Sequence, residues 1–171
     1  MKRSTIGDMM HGLMRVARSG DAAACLEPMS GSTRQISGFQ CKASFGDLDL
    51  CVDEPVSFGG TGLAPNPAEV ALAGLAASLQ VTLLAYAEFL GADVRNVAID
   101  FATALDSRGF FGTDPAISAS FAPVTVNISF DGSNDSQTLA ELLRRVEACC
   151  PILAVFRNPV AVNLSICPKS E

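Results

Sequence analysis

The longest apolar stretch limits the fold more than any other feature of this chain. From Val70 to Ala87 it runs Val-Ala-Leu-Ala-Gly-Leu-Ala-Ala-Ser-Leu-Gln-Val-Thr-Leu-Leu-Ala-Tyr-Ala, apolar on nearly every side of a helix. Asn66 and Pro67 supply an N-cap and a first helical residue that needs no N–H, and Gly91 supplies a left-handed stop. The spacing predicts a helix from about Ala68 to Leu90. A helix apolar all round either spans a bilayer or is buried in protein. Glu69, Gln80 and Glu88 bracket and interrupt the run, and no second span or basic flank follows. The expectation is a central buried helix and no membrane partner.

The flanking segments read as strands and one more helix. Gln35 to Phe45 roughly alternates, Gly46-Asp47 turns the chain, and Leu48 to Asp53 alternates again, as a hairpin with one buried face does. A Gly/Pro loop, Phe58 to Pro67, leads into the long helix. Beyond it, strands are expected over Val94 to Leu105 and Ile117 to Phe130, the second bent or at an edge near Pro123. A polar loop, Asp106 to Pro115, separates them. A second helix over Ser136 to Ala148 sets Leu139, Leu142, Leu143 and Val146 on one face. Pro151 disturbs it just after Cys149-Cys150. An apolar turn, Ile152 to Phe156, and a closing strand, Val160 to Cys167, complete an α+β order.

Residues 1–33 stand apart. Ile6, Met9, Met10, Leu13, Met14 and Ala17 recur at helical spacing, and Glu27-Pro-Met-Ser-Gly-Ser forms a linker. This arm suits packing on a partner subunit; Asp8 argues against a basic targeting presequence. The expected organisation is an arm and linker over 1–33 and one domain over 34–171, consistent with a chain of 171 residues.

Composition removes several function classes. Twelve Lys and Arg against eighteen Asp and Glu leave a net charge of −6, unsuited to nucleic acid. The single histidine, His11, is too little for a Ser-His-Asp triad or a His-rich metal site, so neither cofactor nor metal is expected. The six cysteines lack CxxC spacing, and no continuous apolar leader precedes a cleavage site, which points to reduced thiols in a cytoplasmic setting. Chemistry, where present, falls to thiols, carboxylates or backbone groups.

A Gly-Gly-Thr-Gly loop passing through Pro65-Asn66-Pro67 into an Ala/Gly-rich helix, followed much later by a helix ending Cys-Cys-Pro-Ile, resembles the OsmC/Ohr family. These are the osmotically induced protein C and organic hydroperoxide resistance proteins, bacterial and tied to oxidative stress. The resemblance spans about Arg34 to Ile166. It implies an intertwined α+β homodimer with two central buried helices and wrapping antiparallel sheets. It further implies a peroxidatic cysteine in the buried helix and a resolving cysteine in a Cys-Pro motif, reducing organic hydroperoxides with dithiol reductants. An Arg from a loop and a Glu at the helix start complete that network.

Carried over position by position, Cys150 matches the resolving cysteine and Ser78 stands where the peroxidatic cysteine belongs. The family Glu falls on Ala68, with Glu69 next to it; Arg34 and Arg108 are the candidates for the Arg, and neither aligns with it convincingly. A thiolate attacks peroxide and passes through a sulfenic acid, which serine cannot form. Nor has Ser78 a nearby histidine to activate it as a nucleophile.

Three functions remain open. The leading one is a protein that has lost two-cysteine peroxidase activity but keeps an apolar pocket for a small hydrophobic ligand at the dimer interface, around Ser78, Glu69 and Cys150. The second is a thiol-dependent organic hydroperoxide reductase using Cys150, with or without Cys149. The third is a structural or interaction dimer. The plainer account of each residue is packing. Ser78 is then a small residue beside Ala71, Gly74 and Ala77 that allows close helix approach, and Cys149 and Cys150 are apolar fillers at a helix end. Cys25, Cys41, Cys51 and Cys167 share no spacing and are read as packing or incidental.

Overall fold

Capping chemistry sets most element boundaries in the computed structural model, which describes residues 5–168. Helix α1 (Thr5–Arg18) is followed by a single turn, α2 (Ala22–Cys25), whose first N–H groups are accepted by Asp21. Strands β1 (Ser32–Ser37), β2 (Gln40–Phe45) and β3 (Leu48–Val52) form an antiparallel meander in that order. The expected single strand from Gln35 to Phe45 is therefore two strands. Gly38, at φ 54°, makes the left-handed turn between them, a conformation that side chains resist.

The central helix α3 (Pro67–Leu90) opens with a reciprocal cap. Asn66 Oδ1 accepts from the Glu69 N–H at 2.9 Å, and Glu69 Oε2 accepts from the Asn66 N–H at 2.8 Å. Gly91, at φ 70°, ends it. Strands β4 (Arg95–Ala102) and β5 (Thr125–Asp131) then pair antiparallel as a separate two-stranded sheet. The polar loop expected between them contains a short helix, α4 (Ser107–Phe111), capped by Asp106. The long strand expected from Ile117 is regular only over β5; before it, a lone bridge joins Phe121 to Leu105. Pro123, which lacks a ladder donor, lies in that irregular part.

Helix α5 (Ser136–Cys149) starts on Asp135, whose carboxylate accepts from the Thr138 N–H at 2.7 Å. Pro151 ends α5 and begins α6 (Pro151–Arg157), so the apolar turn expected there is helical. Cys150 joins the two. Its N–H donates to the Val146 carbonyl and its own carbonyl accepts from Ala154, both at 3.0 Å.

The core lies where α3 meets α5. Leu75, Leu79, Leu83 and Ala87 repeat every fourth residue along one stripe of α3 and pack with Leu142, Val146 and Cys150. Half-buried residues of β4, β5 and α6, among them Ile99, Ile128 and Phe156, close around them. Burial is one-sided in the single chain. Ala73, Gly74, Ala77 and Val81 of α3 remain exposed, although α3 has the length and hydropathy of a membrane span. On α5, Leu142 and Val146 are buried, whereas Leu139 and Leu143, expected on the same face, are exposed.

The closing strand expected over Val160 to Cys167 has no strand partner. Its alternating Val160, Val162, Leu164 and Ile166 lie in the open, Ile166 at 94% exposure. Alternation specifies two faces of a strand; a ladder also requires a neighbouring backbone, and no other described segment supplies one here.

Candidate functional site

The packing of α3 on α5 brings two residues distant in sequence into contact. Ser78, half-buried on α3, has its Oγ 3.2 Å from the Sγ of Cys150. Cys150 is 1% exposed, and the backbone of Ser78 is fixed by Thr82, whose hydroxyl donates to the Ser78 carbonyl at 2.7 Å. The helix on each side dictates this meeting. Leu75 and Leu79 flank Ser78 on the buried stripe, and Val146 lies one turn before Cys150.

Glu69 is not part of this contact. Nine residues along a helix correspond to about 13 Å, and its carboxylate is engaged in capping the Asn66 N–H. The candidate arginines are elsewhere too. Arg34 donates to the carbonyl of Thr33 at 2.9 Å, and Arg108 pairs with Asp106 at 2.6 Å. Among the described residues no guanidinium hydrogen-bonds to Ser78 or Cys150. The pair is thus a hydroxyl and a thiol in an apolar surround, without the cation that favours a thiolate.

Cys149 faces a different environment. It is exposed and neighbours Tyr86, and that thiol, together with partial burial, holds the Tyr86 phenol above its ordinary value. The Arg145 guanidinium lies 6.0 Å from the centre of the Tyr86 ring and is bonded to Glu141 at 2.7 Å. The adjacent cysteines therefore differ in exposure, Cys149 in the open and Cys150 buried. Among the described residues no three His, Cys, Asp or Glu side chains gather as a metal site.

An apolar chamber of about 680 Å³ adjoins the Ser78–Cys150 contact. Leu75 and Leu79 of α3, Val126 and Ile128 of β5, Val146 of α5 and Phe156 of α6 line it. Its polar lining is Ser120 and the half-exposed Arg157–Glu147 ion pair, closed at 2.9 Å. Ser78, Glu69 and Cys150 do not themselves line this chamber of the single chain.

One residue that sequence reasoning passed over holds the entry to α3. Asp53 is 1% exposed and accepts from the N–H groups of Glu54 at 2.8 Å and Thr61 at 3.1 Å, and from the Thr61 hydroxyl. The Thr61 hydroxyl chiefly, and these backbone donors, keep its carboxyl below the ordinary carboxylate range. Its own N–H donates to the Pro65 carbonyl at 3.1 Å, tying the Gly-rich loop to the end of β3. Gly60 is required for this closeness, because a Cβ there would sit 1.8 Å from the Glu54 carbonyl oxygen. The Asp-Glu-Pro turn after the strand was the available signal.

This architecture defines a class: small α+β chains built on one long central helix, with a Cys-Pro junction between two later helices packed against it. The family model for OsmC-like protein matches residues 60–165, so the chain belongs to the OsmC-like family. By sequence, no curated protein matches it. Among solved structures, an OsmC-like protein from Mycoplasma pneumoniae superposes with TM-score 0.67 at 13% identity, over 78% of this chain and 89% of that one. An organic hydroperoxide resistance protein OsmC from Legionella pneumophila gives 0.59 at 21%, over 77% and 90%. The organic hydroperoxide resistance protein OhrB of Bacillus subtilis gives 0.52 at 19%, over 78% and 93%. At these identities the likeness establishes the fold.

Proposed function

We propose that this protein keeps the OsmC fold, has lost the two-cysteine hydroperoxide reductase cycle, and holds a small hydrophobic ligand beside the altered site as a homodimer. The observation that carries this is the 3.2 Å contact of Ser78 Oγ with Cys150 Sγ. In the family cycle a thiolate takes the outer oxygen of the peroxide, releasing an alcohol and leaving a sulfenic acid. The second thiol condenses with it, releasing water and forming a disulfide. Ser78 touches the second thiol, as the first thiol would, but a hydroxyl cannot carry an oxidised sulfur forward.

The chamber beside the pair supports the ligand part, since its volume and mostly apolar lining suit a small organic molecule. The exposed Ala73, Gly74, Ala77 and Val81 of α3 support the dimer. So does the unpaired apolar segment from Val160 to Ile166. A second copy covering both would remove that surface from water. Six free thiols suit a reducing, cytoplasmic compartment.

Purified protein given cumene hydroperoxide and a dithiol reductant tests the reading, with an expected rate no higher than background. Turnover that vanishes in Cys150→Ser would overturn it and establish the thiol-reductase alternative, for which the exposed Cys149 beside Tyr86 is the favouring observation. The ligand part is tested by 1-decanol, expected to raise the melting temperature of the wild type and not of Leu143→Trp, which narrows the chamber. A dimer with no such shift is an interaction protein. Ala77→Arg is expected to convert the dimer to monomers in analytical ultracentrifugation.

A further inference from the structure

We propose that the cleft between α1 and α3 is a second ligand site, for a small organic anion: a phosphate monoester or carboxylate carried on an aromatic or apolar body. The cleft has a volume of about 430 Å³ and is lined by Asp8, His11, Met14, Arg15 and Arg18 of α1 and by Phe89 of α3. His11, Arg15 and Arg18 follow one another by four and three residues, so one face of α1 presents all three.

Among the described arginines only Arg15, Arg18 and Arg34 lack a carboxylate partner, and only the first two line one cleft. Arg95, Arg108, Arg144, Arg145 and Arg157 each hold a carboxylate at 2.6–2.9 Å. Arg15 and Arg18 have no such partner among the described residues. Two unpaired guanidinium groups one turn apart repel each other, in a chain whose eighteen acidic residues outnumber its twelve basic ones. An anion bound between them relieves that repulsion and accepts hydrogen bonds from both, the geometry for which guanidinium is suited.

The remaining lining specifies the rest of the ligand. The His11 ring lies 5.7 Å from the Phe89 ring, tilted by 51°, and Met14 adds a polarizable thioether. Together they offer an apolar floor against which an aromatic ring packs while its anionic group reaches the arginines. Asp8 also lines the cleft. The α1 side lies outside the residues matched to the family, so this site does not depend on the function proposed for Ser78 and Cys150.

Calorimetric titration of the full chain at low salt with phenyl phosphate, and separately with inorganic phosphate, tests the site. One phenyl phosphate per chain is expected, at least tenfold tighter than inorganic phosphate. Arg15→Gln and Arg18→Gln are each expected to weaken it tenfold or more with melting unchanged, Arg15→Lys less so, and Arg144→Gln not at all. Phe89→Leu is expected to reduce the preference for the aryl phosphate. No heat with phenyl phosphate at millimolar concentration, or equal binding by wild type and both glutamine variants, overturns the proposal. Co-sedimentation with phosphatidylglycerol vesicles but not phosphatidylcholine vesicles, without phenyl phosphate binding, also overturns it and assigns the arginines to a lipid surface.

Discussion

Ser78 Oγ and Cys150 Sγ meet at 3.2 Å across the junction of two helices, although 72 residues separate them in sequence. A sulfur in place of that oxygen lies close to bonding range of Cys150, because a disulfide needs only modest closure from such a contact. Ser78→Cys is therefore expected to form a disulfide with Cys150 under mild oxidation. Thiol titration would register the loss of two free thiols, and peptide mass spectrometry would identify the bridge. Retention of every thiol by that variant would contradict the geometry.

The two adjacent cysteines are expected to react differently. Cys149 is exposed and Cys150 is 1% exposed, so an aromatic disulfide reagent should modify Cys149 in the native state and Cys150 only on unfolding. Cys149→Ser should leave stability within about 0.5 kcal/mol of wild type. Leu142→Ala, beside Cys150 in the core at 2% exposure, should cost about 2–5 kcal/mol, read by urea unfolding.

Acid should weaken the fold through α5 and the loop before α4. Arg144 and then Arg145 hold Glu141 down to about 2 from 4.5, and Arg108 holds Asp106 at about 2 from 3.8. A carboxyl depressed in the folded state stabilises fully above its unfolded value and loses that contribution as pH falls toward its folded value. Stability is thus expected to decline between about pH 4.5 and about pH 2. In thermal melts across that range, Glu141→Gln should show a shallower decline than wild type.

Gly60→Ala should displace the loop that delivers the chain to α3. The added methyl would overlap the Glu54 carbonyl, so the turn must open and expose the Asp53 carboxylate it encloses. Faster proteolysis between β3 and α3 and a lowered melting temperature are expected. In the Ala77→Arg monomer, Gly74→Ala on the open face of α3, where a Cβ meets nothing within 4 Å, should not lower the melting temperature.

Much of the fold was legible where local chemistry decides. Asn66, Pro67 and Gly91 bound α3 as their capping preferences require, and α5 begins at Ser136 as expected, on a cap that the structure assigns to Asp135. Legibility failed where a partner backbone or a neighbouring element decides. The Gly38 turn, the short α4 and the helical start at Pro151 each depended on hydrogen bonds that periodicity does not encode. Asp53 was missed for a similar reason: a carboxylate becomes a loop anchor only when Thr61 folds back onto it.

The amino-acid order by itself determined that the central segment is a helix, that serine occupies position 78, and that a Cys-Pro junction ends α5. Those are matters of residue identity and nearest-neighbour backbone preference. Tertiary packing alone decided that Ser78 touches Cys150, that Glu69 and the candidate arginines do not, and that Cys149 turns to Tyr86. It also left one face of α3 open. Such contacts depend on how the stripe of leucines seats α5 against α3, and helix-to-helix placement is a property of complementary surfaces that a linear pattern does not carry.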